Sequence, residues 1–525
     1  MYFKNNTINY ILFFLLFFLL SFYLNPNFDF SLNSLKHWST YHRDDIVFVY
    51  GTLIYNEGLE QQHLDHPSLF TFIFTSLFYK VFYFLGFLDH YTLTGLIKSE
   101  EDINFSLSKL FFVSKVTIFF FSISSIIVLN RILFLLSSNQ FNSFLLSCLF
   151  IFSTGFISSS NRLESGLISL FLIFLSIYFF LKFINSKKKI EIIFFILGFI
   201  FLFSSMMQKK IIYFSIPFLI LSLCPVLKIN NISYHKYQFF NRFLNYKIFL
   251  LFIYTSVISF ISYKTIINNT FFLSRDLDFV FLTLNYVGLN VILFLYIKYY
   301  QNFYYQNLLT YNILIGLTYL IYKYFLIYFF SAPIAIWSIS FTNFLGHLNM
   351  FVNGEVKGEL SFNSLKLYLS SFIGHFHFVL NKYFLTFSYQ SLLVWLNLII
   401  FTYNFRKIDL IKKNTIILLF FGFFIVQSII LFRYEQDTYF LNSEILLFIP
   451  LIYLLEYLKF NKIIISSLIF IIFLSNLSFI KLKKHENSES YCKLILENKD
   501  FTEYYDYWTK NLPRNVVLNF CKDRI

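Results

Sequence analysis

Long apolar runs separated by short polar stretches make up most of this chain. Most runs are about as long as the roughly 17 to 25 residues that an α-helix needs to cross a bilayer. The pattern therefore predicts about thirteen transmembrane helices. They cover residues 8–24, 110–135, 143–159, 165–184, 190–206, 211–227, 248–267, 279–297, 308–330, 391–405, 414–432, 440–457 and 462–480.

One further apolar stretch, residues 68–87, decides the topology. If it does not span, the basic loops lie on one side of the membrane, which the positive-inside rule makes cytoplasmic. These loops contain Arg131 and residues 187–189, 228–247, 298, 406–413 and 459–462. We therefore expect residues 68–87 to form an aromatic-rich helix lying in the membrane interface. This topology predicts interfacial helices in a first outer loop at residues 25–108, and a late outer loop at residues 331–390.

The composition agrees with this pattern. Hydrophobic residues make up 57% of the chain and charged residues only 13%, with a mean hydropathy of +0.64. A chain of this kind is expected to be an all-α polytopic membrane protein. The net charge of +14 is assigned to cytoplasmic loops, so it predicts no nucleic-acid partner. We expect residues 1–480 to form one transmembrane domain and residues 481–525 a small tail outside the cytoplasm.

The cysteines and the absent motifs limit the chemistry. Cys148 and Cys224 lie inside apolar runs, whereas Cys492 and Cys521 share the polar tail and could form a disulfide if that tail is outside the cytoplasm. No Gly-rich phosphate loop, CxxC pair or GxSxG elbow occurs, so a nucleotide-binding domain or serine hydrolase has no support. The chemistry is therefore expected at the membrane surface.

Residues 41–69 are rich in Asp, Glu, His and Gly, so we interpret this stretch as an active-site loop. The predicted topology places it on the outer side, together with a small set of polar residues at helix ends. These are Asp44, Asp45, Arg162, Glu164, Lys209, Lys210, Arg433, Glu435 and Asp437.

Several of these positions resemble a known pattern, that of the GT-C glycosyltransferases. The resemblance is to the branch of protein O-mannosyltransferases and lipid A aminoarabinose transferases. It covers about the first 230 residues, and the rest only by topology. The matching features are the acidic pair Asp44 and Asp45 after the first helix, His66 and Pro67 closing the loop, Leu163 and Glu164 opening the fourth helix, Met207 to Lys209 opening the sixth, and an apolar helix from Tyr439 to Pro450.

The resemblance implies transfer of a sugar from a polyprenyl-phosphate donor to a hydroxyl or amine of a glycan, lipid or protein acceptor, at the outer face of the inner membrane. Asp44 or Asp45 would be the catalytic base. Lys209, supported by Lys210, Arg162 or Arg433, would bind the donor phosphate. His66, Glu164 and Tyr439 would position the acceptor or the loop. No cofactor is assigned, and a divalent metal is left open.

The pattern also differs from that branch. His66 stands where the aminoarabinose transferases have Lys, and Glu164 where they have Asp, so the sugar and the acceptor do not follow from the resemblance. His347, His375 and His377 occur in the late loop, and we interpret them as solvated or interfacial side chains rather than metal ligands.

Other interpretations stay open. The acidic pair could be solvated, Lys209 and Lys210 could be interfacial anchors, and Glu164 could serve only the helix dipole. An O-antigen ligase or polymerase would place key Arg and His residues in the late loop, which has three His and no Arg. A transporter or flippase would have ionisable residues in mid-helix, and the predicted spans are nearly free of charge.

Overall fold

The computed structural model describes residues 9–18, 43–59, 69–98, 103–160, 162–185, 191–208, 362–386, 388–431 and 437–457, with isolated positions between 215 and 225. Throughout this part of the chain the regular elements are helices and no strand occurs. The all-α prediction is therefore confirmed for the described residues. The predicted spans at 248–267, 279–297, 308–330 and 462–480, and the tail at 481–525, lie outside them.

The N-terminal part contains nine described helices. They are α1 (Asn9–Phe18), α2 (Arg43–Glu57), α3 (Leu69–Phe84), α4 (Leu93–Lys98), α5 (Ile103–Ser137), α6 (Gln140–Ile151), α7 (Thr154–Ser160), α8 (Ser165–Asn185) and α9 (Glu191–Gln208). Four more helices belong to the C-terminal part. They are α10 (Phe362–Leu385), α11 (Tyr389–Asn404), α12 (Leu410–Leu431) and α13 (Asp437–Leu455).

Three of these helices are long and apolar enough to cross a membrane. They contain the segments Phe105–Ser137, Ser165–Phe183 and Leu410–Ile430, and the number rises to five if each of two bent helix pairs is counted as one span. These helices are consistent with an integral membrane protein. The total of thirteen spans stays a prediction.

The stretch predicted as an active-site loop is largely a helix. All residues from 47 to 54 in α2 are buried, so this helix lies inside the bundle. Its C-terminal end is fixed to α4, because the Asn56 amide donates to the Tyr91 carbonyl over 2.7 Å and Glu57 accepts from the Thr94 N–H. Residues 43–57 of the predicted active-site loop are therefore a buried helix, because apolar positions outweigh the polar ones at either end.

The stretch at residues 68–87 does form a helix, α3. Its inner side is buried through Phe72, Thr75 and Tyr79, and Phe84 at its end is 88% exposed. The Tyr79 hydroxyl and the Ser114 hydroxyl of α5 lie 2.7 Å apart, which joins α3 to the longest of the described helices. The position of α3 relative to the membrane stays a prediction.

Two predicted elements are broken by sharp bends. The predicted span at 143–159 is divided into α6 and α7, which meet at 62°. Part of the predicted late outer loop is the 24-residue helix α10, which meets α11 at 81°. Residues 362–385 of the predicted late outer loop are therefore helical, and the side of the membrane on which they lie stays a prediction. Hydropathy gives the length of an apolar run, but it does not specify a bend within it.

Close contacts between small residues hold α8 against α9. The Ser176 hydroxyl donates to the Gly198 carbonyl over 2.7 Å, and the Ser169 hydroxyl to the Ser205 carbonyl over 3.0 Å. A Cβ atom added at Gly198 would lie 2.6 Å from the Phe180 ring. Small residues of this kind let helix backbones approach each other closely. Such packing is needed in lipid, because no hydrophobic driving force holds helices together there.

Basic residues mark helix ends. The Arg131 guanidinium lies 5.3 Å from the centre of the Tyr10 ring, which brings the last third of α5 to the start of α1. Near the start of α12, the Lys412 ammonium is 2.5 Å from the Glu456 carboxylate, just beyond the end of α13. Burial raises the pKa of the Glu456 carboxyl, and the neighbouring Lys412 opposes this rise. Both basic residues belong to the predicted cytoplasmic loops.

Candidate functional site

A buried ion pair joins the start of α2 to α5. The Asp45 carboxylate lies 2.6 Å from the Lys115 ammonium, and the two residues are 1% and 8% exposed. Asp45 is in the first turn of α2, where the helix dipole favours a carboxylate. Lys115 lies inside the apolar segment of α5. Because an isolated charge in such a place is costly, each of these residues stabilises the other in its buried position.

The same carboxylate holds a third element. The second oxygen of Asp45 accepts a hydrogen bond of 2.5 Å from the backbone N–H of Leu163, which lies between α7 and α8. Leu163 belongs to a tight turn in which the Glu164 N–H donates to the Arg162 carbonyl over 3.0 Å. Glu164 is buried and Arg162 is partly exposed. Asp45 therefore brings the turn of residues 162–164 to the first turn of α2.

This contact brings together two parts of the predicted site. The acidic pair and the turn containing Arg162 and Glu164 are separated by more than a hundred residues in the sequence, and the structure places them side by side. Lys115 completes this group, which we call the Asp45 cluster: Asp45, Lys115 and the turn of residues 162–164. Lys115 lies about 24 Å along α5 from Arg131, given a helical rise of 1.5 Å per residue.

A second contact joins the end of α9 to the start of α3. Gln208, the last residue of α9, accepts from the Phe70 N–H over 2.9 Å and from the Thr71 N–H over 3.3 Å. Its amide nitrogen also donates to the Thr71 hydroxyl. The Gln208 side chain thus caps the N-terminus of α3, whose first N–H groups have no partner inside the helix. It is adjacent in sequence to the predicted phosphate-binding lysines.

Several predicted site residues lie outside the described part of the chain. These are His66, Lys209, Lys210, Arg433, Cys492 and Cys521. For Asp44 in α2 and Tyr439 in α13 only the helical backbone is described. Their assigned roles stay predictions.

Two of the three histidines of the predicted late outer loop fall in α10. His377 lies 3.2 Å from the amide of Asn381 and His375 is partly buried, while His347 is outside the described residues. Within the described ranges, no group of three or more His, Cys, Asp or Glu side chains is arranged to hold a metal ion.

Sequence analysis missed two buried ionisable residues. Lys115 lies within the predicted span 110–135, and Glu444 lies within the predicted span 440–457, where it is 0% exposed. The description of the spans as nearly free of charge overlooked both of them. The available signal was a single charged residue inside an apolar run, since ionisable residues in membrane helices face the bundle interior and usually have a function.

Glu444 is the centre of a second group of polar side chains. Its carboxylate accepts from the Gln390 amide over 2.7 Å and from the Gly155 N–H over 3.2 Å, and the Ser153 side chain lies beside it. We call Glu444, Gln390, Gly155 and Ser153 the Glu444 cluster. It joins the starts of α7 and α11 to the middle of α13.

The chemistry available at the two clusters differs. The Asp45 cluster brings a carboxylate and an ammonium beside the turn that contains Arg162 and Glu164, and residues of these types can transfer a proton and bind an anionic phosphate. The Glu444 cluster supplies a carboxylate held by neutral donors inside the bundle.

Comparison of the chain with protein-family models, with curated proteins and with solved structures finds no match.

Proposed function

We propose that this protein is a membrane glycosyltransferase that moves a sugar from a polyprenyl-phosphate donor to a hydroxyl or amine acceptor. The observation that carries the proposal is the contact of Asp45 with both Lys115 and the Leu163 N–H. It places the acidic pair beside the turn containing Arg162 and Glu164. In the GT-C resemblance these two motifs belong to one active site.

The acidic pair has two roles in this proposal. Both oxygens of Asp45 are engaged, one by an ammonium and one by a backbone N–H, so Asp45 is the positioning residue. Asp44 is then the base. The acceptor oxygen or nitrogen attacks the anomeric carbon, its proton goes to the Asp44 carboxylate, and the bond between the sugar and the phosphate oxygen breaks.

The leaving polyprenyl phosphate gains negative charge as that bond breaks. Cations that contact the departing oxygen stabilise the transition state more than the ground state, and so increase the rate. We assign this role to Lys209, with Lys210, Arg162 and Arg433 in support. The support for Lys209 is its neighbour Gln208, which is fixed to the start of α3 by three hydrogen bonds.

We further propose that the site faces the outside of an inner membrane. Lys115 lies about 24 Å along α5 from Arg131, which the positive-inside rule assigns to the cytoplasmic side. The hydrocarbon core is about 30 Å thick, so Lys115 would lie near its outer boundary. In this topology residues 481–525 are also outside. The Cys492–Cys521 disulfide would then form and could be detected by thiol labelling of intact cells before and after reduction.

The direct test is a transfer assay. Purified protein in lipid is incubated with a panel of polyprenyl-phosphate sugars and candidate acceptors, and release of polyprenyl phosphate is measured. We expect release with one donor class, dependent on the acceptor. The matched control is the Asp44→Asn protein, in which release should fall to background. Absence of release with every donor, in protein that is folded and binds polyprenyl phosphate, would contradict the proposal.

Transport is a second candidate function, and the Glu444 cluster favours it. A buried carboxylate at the junction of two bent helix pairs is an arrangement that secondary transporters use at their substrate sites. Reconstituted vesicles distinguish the two functions. A transporter moves labelled lipid-linked sugar or a cation across the bilayer without cleaving the donor, whereas the transferase releases polyprenyl phosphate without flux.

A further inference from the structure

The Glu444 carboxylate sits where two bent helix pairs change direction. Ser153 and Gly155 lie at the start of α7, directly after the 62° bend between α6 and α7. Gln390 is the second residue of α11, directly after the 81° bend between α10 and α11. A single buried side chain on α13 therefore accepts hydrogen bonds from the first turns of two helices that follow bends.

The contact between α7 and α13 leaves no room for adjustment. A Cβ atom added at Gly155 would lie 2.7 Å from Cα of Leu441 and 2.8 Å from a carboxylate oxygen of Glu444. Only glycine allows the backbone of α7 to come this close to α13. The Ser153 hydroxyl accepts from the Phe156 N–H over 3.2 Å, so this serine caps α7 beside Glu444.

The far end of α7 leads directly to the Asp45 cluster. Leu163 follows Gly155 by only eight residues, and its N–H is held by Asp45. Helix α7 is about 10 Å long at 1.5 Å per residue. One buried carboxylate thus fixes the start of α7, and another fixes the turn after its end.

We propose that Glu444 is a positioning residue for the Asp45 cluster. By holding the first turn of α7 against α13, it sets where the turn of residues 162–164 lies relative to Asp45 and Lys115. The catalytic consequence of this inference rests on the proposed transferase function, but the structural consequence does not. Displacement of reacting groups by about 1 Å can lower a rate about a hundredfold.

Hydrogen exchange of the Leu163 amide tests the structural link in the full-length protein without any ligand. In the wild type the bond to Asp45 should protect this amide. Glu444→Gln loses at least one acceptor for the donors at the start of α7, and Gly155→Ala pushes α7 away from α13. We expect both variants to exchange the Leu163 amide at least about tenfold faster.

The matched control is Glu456→Gln, which makes the same chemical change just beyond the C-terminal end of α13. Glu456 pairs with Lys412, near the start of α12. Exchange at Leu163 should be unchanged in this variant. If Glu444→Gln does not fold, Ser153→Ala removes the hydroxyl that caps α7 beside Glu444, with little change in volume, and is measured instead. A folded variant with wild-type exchange at Leu163 would overturn the positioning role.

Kinetics supply the second readout. The Glu444→Gln protein should bind sugar-free polyprenyl phosphate within about threefold of the wild type, while kcat falls about tenfold or more. An equal loss in binding and in kcat would overturn the proposal, since it would indicate general disruption of the bundle. If the wild-type protein transfers no sugar but Glu444→Gln still exposes the Leu163 amide, the positioning role stands and the transferase function is rejected.

Discussion

The two clusters contain equally buried carboxylates with different partners. Asp45 is 1% exposed and meets the Lys115 ammonium at 2.6 Å, whereas Glu444 is 0% exposed and meets an amide, a hydroxyl and a backbone N–H. In the Asp45 cluster the negative charge is balanced by a cation. In the Glu444 cluster the hydrogen-bond partners of the carboxyl, within the described part of the chain, are neutral groups.

This difference predicts different consequences when a charge is removed. Removing one member of a buried ion pair leaves the other charge buried and uncompensated, which costs about 3 to 5 kcal/mol. Removing a carboxylate that accepts from neutral donors leaves no charge behind, and costs about 1.5 to 3 kcal/mol. The Asp45 cluster is thus expected to be the more sensitive of the two to charge loss.

The largest expected effect is on catalysis at Asp44. Asp44→Asn should lower the rate of sugar transfer by about 10² to 10⁴, because a general base contributes a factor of that size. Its unfolding temperature should stay near that of the wild type. The measurement is polyprenyl-phosphate release from the best donor of the panel. If Asp44→Asn and Asp45→Asn both keep near-wild-type turnover, neither carboxylate is the base or its support.

The next effect is on stability at Asp45. Asp45→Asn should lower the free energy of unfolding by about 3 to 5 kcal/mol, measured by SDS-induced unfolding in mixed micelles. Combining it with Lys115→Met should restore much of this loss, because the ammonium that the Asp45 carboxylate compensates is then absent as well. A double variant whose loss equals the sum of the two single losses would mean that the two residues do not interact in the membrane.

A smaller effect is expected at the lysines that follow Gln208. Lys209→Ala should weaken binding of polyprenyl phosphate about ten- to a hundredfold, because a charge-assisted hydrogen bond is worth about 1.5 to 3 kcal/mol. Lys210→Ala should have less effect, since the resemblance assigns the phosphate contact to Lys209. Small and equal losses at both positions would identify the two lysines as interfacial anchors.

The smallest effects compare two glutamates of the same region. Glu444→Gln should lower the free energy of unfolding by about 1.5 to 3 kcal/mol, and Glu456→Gln by less than about 1 kcal/mol, because exposed ion pairs contribute little. Both are measured in the same unfolding experiment as Asp45→Asn. A loss at Glu444 as large as that at Asp45 would remove the distinction between a carboxylate with an ionic partner and one held by neutral donors.

Much of the local structure was predictable from the sequence. The apolar runs at 165–184 and 414–432 became α8 and α12 with nearly the expected ends, because a run of that length and hydropathy has to form a helix in lipid. Asp45 and Glu164 were both singled out from the sequence, and the structure brings the turn that contains Glu164 to Asp45. The helix at residues 43–57 was not predicted, because the polar residues at its ends were given more weight than the eight consecutive positions, 47–54, that are buried in the structure.

Only the tertiary structure decided which helices meet. Asp45 and Lys115 are separated by 70 residues, and Gly155 and Glu444 by 289. A hydropathy pattern records which positions avoid water, but it does not record which neighbour each helix packs against. In a membrane, that choice depends on close steric fit and on the pairing of a few buried polar groups. The sequence therefore determined an all-helical membrane protein, and packing determined where its charges come together.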